Sequence, residues 1–364
     1  MNAILQNCES IIIQIATSYS KEGTGFYWKA YDVIVTNEHI VRNHQEVIIE
    51  GKHIERQMTP VLFLDQKNDL ALLKAPSKLK ETASDLAAAE NVESEAAIIA
   101  IGHPFGQKFT YANGQLIDNK KDSDYLTHNA ALTTSHNGGP LLSLEGELIG
   151  INAFLKKGEQ YIGFTLPAPI IEKSIVEFQV EKNKKGSRCI ACETIVYESE
   201  NATQYCPNCG AKITMLSMIE EYEPVGVPKT VEEILLRIGH EVKLARRGLN
   251  NWEIQEGSAK VIISYHEDSG LITGDAYLCL LPKEKVQAIY QFLLQQNKIT
   301  ENLTFSLNPN GRDIILSLLI YDRYLNVSTG EKLFKHLFER ADHYDNILVE
   351  EYGAVWKEGQ LIKS

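Results

Sequence analysis

Short apolar runs broken by polar punctuation dominate the first half of this chain. Runs at 10–16, 33–36, 46–50, 61–64, 71–74, 97–101, 141–143, 147–153 and 161–166 are rich in β-branched and aliphatic residues, with Gly, Asn, Asp and Pro between them. Regular short strands with turn residues between them predict an all-β barrel or sandwich over about the first 180 residues. From about residue 230 the period changes. Val231, Ile234, Leu235, Ile238 and Val242 recur at helical spacing, and the helix they predict runs to about Arg247. Thr230 and Glu233 ahead of them have the spacing of a capping box. Strands are predicted at 252–254, 259–265 and 271–281, with Glu267-Asp268-Ser269-Gly270 as a hairpin turn. A helix over about 283–296 comes next, and then strands 304–307 and 313–321 paired across Asn308-Pro309-Asn310-Gly311. A last helix over about 328–345 buries Leu333, Phe334, Leu337, Phe338 and Ala341. The order is αβββαββα, and the Pro-containing stretch 220–229 reads as the linker ahead of it.

Between the two halves lies a cysteine pattern. Cys189-Ile190-Ala191-Cys192 and Cys206-Pro207-Asn208-Cys209-Gly210 give two Cys-x2-Cys knuckles separated by 13 residues. Four thiolates so spaced can surround one Zn²⁺ tetrahedrally, as a closed structural site without an open coordination position. The expected module spans 183–214, and residues 197–204 are its polar loop. Cys8 and Cys279 stand alone, so the six cysteines read as a metal site plus two free thiols rather than a disulfide framework.

Composition narrows the function classes. A formal net charge of -12 over 364 residues gives no overall attraction to nucleic acid or anionic lipid. The basic run 182–188 (KNKKGSR) reads as a solvated linker. No stretch reaches the roughly 18 apolar residues of a membrane span, and the apolar run after Glu9 lacks the basic lead of a secretory signal. The expectation is a cytoplasmic chain without nucleic-acid or membrane partners.

The chemistry centres on Thr134-Ser135-His136-Asn137-Gly138-Gly139-Pro140. Upstream lie Gly23-Thr24-Gly25-Phe26, Val35-Thr36-Asn37-Glu38-His39-Ile40-Val41, Asn68-Asp69-Leu70-Ala71-Leu72-Leu73 and Ile99-Ala100-Ile101-Gly102-His103-Pro104-Phe105-Gly106. Downstream lie Gly146-Glu147-Leu148-Ile149-Gly150-Ile151-Asn152 and Ile162-Gly163-Phe164-Thr165-Leu166-Pro167. In content, order and spacing, residues 10–175 resemble the trypsin-like protease domain of the HtrA (DegP-like) family. The resemblance implies a double β-barrel of chymotrypsin type with the active site between the barrels. His39 matches the general base, Asp69 the carboxylate that orients it, and Asn137 the nucleophile position. The backbone N–H groups of Ser135 and Asn137 match the oxyanion hole.

Two positions depart from that pattern. An amide at Asn137 has no proton that a base can take to make a nucleophile, so it forms no acyl-enzyme. Ser135 replaces a Gly whose backbone freedom the hole uses. His103, His128 and His136 read as local hydrogen-bonding residues. The C-terminal order resembles the type III secretion chaperone-like fold, which implies an α+β domain that binds extended protein segments and pairs as a homodimer. The expected domains are a trypsin-like domain (1–182), a zinc ribbon (183–214) and the α+β domain (228–358). The functional expectation is a pseudoprotease adaptor that takes a protein or peptide partner. The alternatives are an active intracellular serine endopeptidase whose nucleophile is altered in this chain, and a chaperone that uses the barrel as scaffold.

Overall fold

The computed structural model describes residues 2–20, 23–89, 92–104, 109–118, 125–157, 160–179, 184–198, 204–284, 286–308 and 312–357. Several predicted features fall partly outside them: Phe105-Gly106 of one motif, residues 182–183 of the basic run, 199–203 of the cysteine loop, and 309–311 of the last hairpin turn. The described chain forms two compact units, Met1–Tyr222 and Glu223–Ser364.

The first unit opens with helix α1 (Asn2–Glu9). Strands β1 (Ile12–Ala16), β2 (Thr24–Trp28) and β3 (Val33–Thr36) follow, then the single turn of α2 (Glu38–Val41). Next come β4 (Glu46–Gly51), β5 (Ile54–Asp65) and β6 (Leu70–Lys74), and α3 (Ser77–Thr82). These six strands pair antiparallel in the order β5-β4-β1-β2-β3-β6, and β6 returns to β5 to close a barrel. A second closed barrel is built from β7 (Ala97–Gly102), β8 (Thr110–Asp118), β9 (Leu126–His128), β10 (Pro140–Ser143), β11 (Leu148–Lys157) and β12 (Gln160–Pro167). Among the described residues this is the double six-stranded barrel of chymotrypsin-like folds.

Strand periodicity explains how the barrels meet. Alternate residues of a strand face opposite sides. In β7, Ile98 and Ala100 point into the second barrel with Leu116, Leu132 and Ile149. Ile99 and Ile101 point the other way, into a core shared with Ile15, Phe26, Val35 and Leu72 of the first barrel. Both faces of β7 are therefore buried, so it reads as an unbroken apolar run rather than an alternating one.

Helix α4 (Ala168–Gln179) follows the second barrel. Strand β13 (Gly186–Arg188) then lies parallel to β5, with Gly186 beside Phe63 and Ser187 beside Leu64. Strand β14 (Ile195–Tyr197) pairs with β13. The end of the basic run is therefore a buried strand rather than a solvated linker, because its glycine and serine fit against β5 and Arg188 turns its side chain inward.

The second unit comprises α5 (Gly226–Arg237), α6 (Val242–Ala245), β15 (Asn251–Glu256), β16 (Ala259–His266), β17 (Leu271–Leu280), α7 (Gln287–Ile299), β18 (Leu303–Leu307), β19 (Asp313–Tyr321) and α8 (Val327–Glu350). The sheet order is β15-β16-β17-β19-β18, antiparallel throughout. The single helix predicted from Thr230 to about Arg247 is two pieces. It starts earlier, at Gly226, and Gly239 in the left-handed region (φ +96°) ends it. The apolar spacing continues across that break because Val242 and Ala245 enter the same core as Val231, Ile234 and Leu235.

Helix α8 supplies the largest block of that core, with Phe334, Leu337, Phe338, Ala341, Tyr344 and Leu348 all buried. Phe334→Ala is expected to destabilise the second unit by about 3–5 kcal/mol, the usual cost of removing a buried aromatic ring. Urea unfolding followed by tryptophan emission, with Trp252 buried in the same core, measures it.

Candidate functional site

The site is assembled where β3 ends. Asn37 precedes the turn of α2, and its side-chain amide donates to the Asp69 carbonyl at 3.1 Å. Asp69 sits in the turn between β5 and β6 with φ +46°. Its Oδ1 accepts the His39 backbone N–H at 2.9 Å, and its Oδ2 lies 2.7 Å from His39 Nδ1. Both carboxylate oxygens are thus committed to one residue. In the neutral ring the proton sits on Nδ1, which leaves the Nε2 lone pair facing out. Asn137 Nδ2 lies 3.3 Å from that Nε2, so the amide donates where a nucleophile's hydroxyl would stand. His39 is 39% exposed and Asp69 27%, so solvent screens the pair and its value is geometric rather than stabilising.

The loop that carries Asn137 is a 3₁₀ turn, residues Thr134–His136. His136 N–H donates to Thr133 O at 3.0 Å and Asn137 N–H to Thr134 O at 3.2 Å. Thr133 and His136 cap the turn reciprocally, and Ser135, almost fully buried, shares a 2.7 Å hydroxyl contact with Thr133. Thr24 ties the turn to the first barrel. Its hydroxyl donates to Ser135 O at 2.7 Å and accepts His103 N–H at 2.8 Å. Its backbone N–H donates to Asn137 O at 3.0 Å. Gly138 then takes φ +79°, and a Cβ there would lie 2.0 Å from Thr24 O, so only glycine allows the approach.

This loop geometry fixes the backbone N–H group at the position where the sequence leads one to expect an oxyanion hole. Catalysis of acyl transfer requires two N–H groups aimed at a developing oxyanion. Here the Asn137 N–H is spent on the Thr134 carbonyl, which places an acceptor beside the donor that the hole needs. Ser135 does not adopt a positive φ, and its side chain locks the closed turn through Thr133.

The four cysteines converge in the same unit. All four Sγ atoms lie within 4.8 Å of one another, with Cys189–Cys209 and Cys192–Cys206 at 3.6 Å. Four sulfurs at ~2.3 Å from a central ion would be separated by ~3.8 Å, so the donor set fits one tetrahedral ion. The two knuckles repeat one hydrogen-bond pattern. Cys189 N–H donates to Thr194 O and Glu193 N–H to Cys189 O; Cys206 N–H donates to Ala211 O and Gly210 N–H to Cys206 O. Glu193 (φ +63°) and Gly210 (φ +74°) hold equivalent places.

A family model described as a trypsin-like peptidase domain matches residues 23–151. The first unit carries a trypsin-like serine protease fold. Curated relatives of this domain include serine protease HTRA1 of Xenopus tropicalis, 30% identical over 165 residues, which cover 43% of this chain and 35% of that protein. Mouse serine protease HTRA4 is 31% identical over 183 residues, 46% of this chain and 36% of that one. A probable periplasmic DegP-like serine endoprotease of Pseudomonas putida is 28% identical over 174 residues, with 46% and 36% covered. The chain thus spans about a third of the length of these relatives. Among solved structures, the serine endoprotease of Yersinia pestis aligns at 20% identity with TM-score 0.45, covering 51% of this chain and 69% of that one. A protease of M. tuberculosis in its active form aligns at 22% with TM-score 0.43, covering 49% and 85%.

The protease-fold domain brings His39, Asp69, Asn137 and Ser135 to one place, and the four cysteines to another. Sequence reasoning missed Thr24, Thr134, Asp65 and Arg188. Thr134 acts through its carbonyl, which no residue type reveals. His128 and His136 are the local hydrogen-bonding residues expected: His128 Nδ1 accepts Ala130 N–H and His136 Nδ1 accepts Thr133 N–H. Their Nε2 atoms are buried without a partner among the described residues.

Burial, helped by the nearby His136, lowers the His128 pKa to about 4, and burial lowers that of His136 as well. The folded pKa is below the unfolded one, so protons bind the unfolded chain first. Stability is then full above pH ~6.5, falls as pH drops, and levels off below about 4. For His128 alone the loss is about 3 kcal/mol. Urea midpoints of the unaltered chain and His128→Gln between pH 7 and 4 are expected to show a shallower acid slope in the variant.

Proposed function

We propose that this chain is a pseudoprotease: an adaptor whose protease-type cleft holds a protein or peptide segment without cutting it. The observation that carries this reading is Asn137. Its amide faces the His39 Nε2 lone pair at 3.3 Å, and it offers no atom that can attack a carbonyl. The closed turn at 134–137 supports the same reading, because an acyl-transfer transition state would lack the Asn137 N–H. In this reading His39 and Asp69 hold the places of base and orienting carboxylate. Ser135 and Asn137 hold those of the oxyanion hole. The second reading, an active intracellular serine endopeptidase whose nucleophile is altered in this chain, is favoured by one observation: the 2.7 Å contact between His39 and Asp69 is arranged as working chemistry requires.

The chain is read as three modules: the protease-type domain (1–182), a zinc ribbon (183–214), and an α+β domain (228–358) similar to type III secretion chaperones. Cys189, Cys192, Cys206 and Cys209 would hold one structural Zn²⁺, which supplies folding free energy rather than catalysis because four thiolates leave no open position. The order of helices and strands in the second unit supports the chaperone-like reading, with a homodimer through that domain and an extended segment of a partner protein as its ligand. A cytoplasmic location agrees with clustered metal-binding thiols, and neither nucleic acid nor membrane is a proposed partner. Among the described residues no helix is long and apolar enough to cross a membrane.

Fluorophosphonate labelling of the full chain tests the central reading. The unaltered protein is expected to stay unlabelled. Asn137→Ser alone should label weakly, because the Thr134 carbonyl still occupies the hole. Adding Ser135→Gly should raise labelling about 10²–10³-fold, the usual effect of one oxyanion donor. Labelling of the unaltered chain would sink the pseudoprotease reading. If the double variant also stays unlabelled, the site has decayed beyond positions 135 and 137, and the barrel is to be read as a scaffold.

A further inference from the structure

The cysteine module reaches the loop that carries Asp69 from two sides. Arg188, one residue before Cys189, is 8% exposed. Its Nε donates to Asp65 Oδ2 at 2.7 Å, its Nη2 to Glu177 Oε2 of α4 at 2.8 Å, and its Nη1 to the Glu193 carbonyl at 3.1 Å. Glu193, one residue after Cys192, pairs through its own carboxylate with Lys67. Asp65 and Lys67 are both in the 65–69 turn.

Asp65 is fully buried. Besides Arg188 it accepts the Asn68 N–H at 3.2 Å and the Asn68 side-chain amide at 2.8 Å. Asn68 precedes Asp69, and Asp69 holds His39. A continuous set of contacts therefore runs from Cys189 through Arg188, Asp65 and Asn68 to the His39–Asp69 pair. Backbone pairing of the module with the barrel is short, β13 with β5 over two residues in register, and Ile195 and Tyr197 of β14 pack against the first barrel's core beside it. Four sulfurs packed within 4.8 Å suit the ligand set of one shared ion, and binding it would favour the closed arrangement.

We propose that Arg188 is a positioning residue for the His39–Asp69 pair, and that metal binding by Cys189, Cys192, Cys206 and Cys209 sets its grip. With the ion bound, both knuckles are closed and Arg188 is held against Asp65. Without it the knuckles relax and Arg188 withdraws. Asp65 cannot remain buried as an uncompensated charge, so the 65–69 turn rearranges to expose it and Asp69 leaves His39. Glu193 in the left-handed region fits this role. Its equivalent in the second knuckle is Gly210, and the side chain kept at the strained position is the one that reaches Lys67. The geometry of the pair is then under the control of metal supply. The inference holds whether or not the cleft cuts peptides, since it concerns the pair itself.

Proton NMR of the full chain loaded with Zn²⁺ provides the test. The His39 Nδ1 proton, shared with Asp69 at 2.7 Å, should resonate well downfield of the amides, and His39→Gln identifies it by its disappearance. Chelation of the metal is expected to abolish this resonance, and added Zn²⁺ to restore it, while the upfield methyl signals of the barrel core persist. Arg188→Gln should abolish it with metal bound, and Arg188→Lys, which keeps a charge on Asp65, should recover part of it. An unchanged resonance after chelation or in Arg188→Gln overturns the proposal. Loss of the core methyl signals on chelation also overturns it, since the module would then hold the barrel and not the turn. If Arg188→Gln does not fold, the chelation arm on the unaltered chain decides.

Discussion

The first unit depends on how one buried charge is met. Asp65 ends β5 with no solvent contact, and a carboxylate there persists only if donors surround it. Arg188 provides one from β13, Asn68 two from the turn and the Ser174 hydroxyl a longer one from α4. Removing one partner of such a pair costs about 3–5 kcal/mol, because the other charge is left stranded. That requirement explains why a segment outside the barrels is packed so closely on β5. It also explains why the 65–69 turn, which places Asp69, has a fixed shape. Arg188 reaches α4 as well through Glu177, so the helix that follows the second barrel is tied into the same network.

The cleft shows a second interdependence. Thr24 binds Ser135 O, His103 N–H and Asn137 O at once, so the first barrel determines the path of the loop from the second. Within that path, Ser135 and Asn137 act together. The hydroxyl at 135 secures the 3₁₀ turn and the turn spends the Asn137 N–H, while the amide at 137 removes the nucleophile. Either change alone would weaken acyl transfer. The two combined leave the His39–Asp69 pair beside a loop that presents an amide in place of a hydroxyl.

Much of this was legible in the residues, for reasons that differ by element. Strands β1, β3, β6 and β7 are buried on both faces and stand out as apolar runs. The polar β9 and much of β8 do not, since they close a barrel whose neighbours supply the bulk of its core. Helix α4 was hidden because Val176, 54% exposed, puts an apolar residue on its outer face and blurs the period. Helix α5 was extended too far because a helical spacing says nothing of a glycine at φ +96° until the backbone is seen.

Residue chemistry by itself determined that position 137 carries an amide and no hydroxyl or thiol, and that four thiols stand at the Cys-x2-Cys spacing of a metal-ligand set. Those are properties of atoms and of local spacing, whereas the expectation for His39 and Asp69 came from the resemblance of the surrounding motifs to a protease domain. Only the tertiary structure decided that the Asn137 N–H turns inward to Thr134 and that Thr24 holds the loop. It alone showed that Arg188 stands against Asp65, 123 residues away in sequence. Each of these is a hydrogen bond made by a backbone group or by a partner distant in the chain. Such contacts exist only once the strands between them have paired.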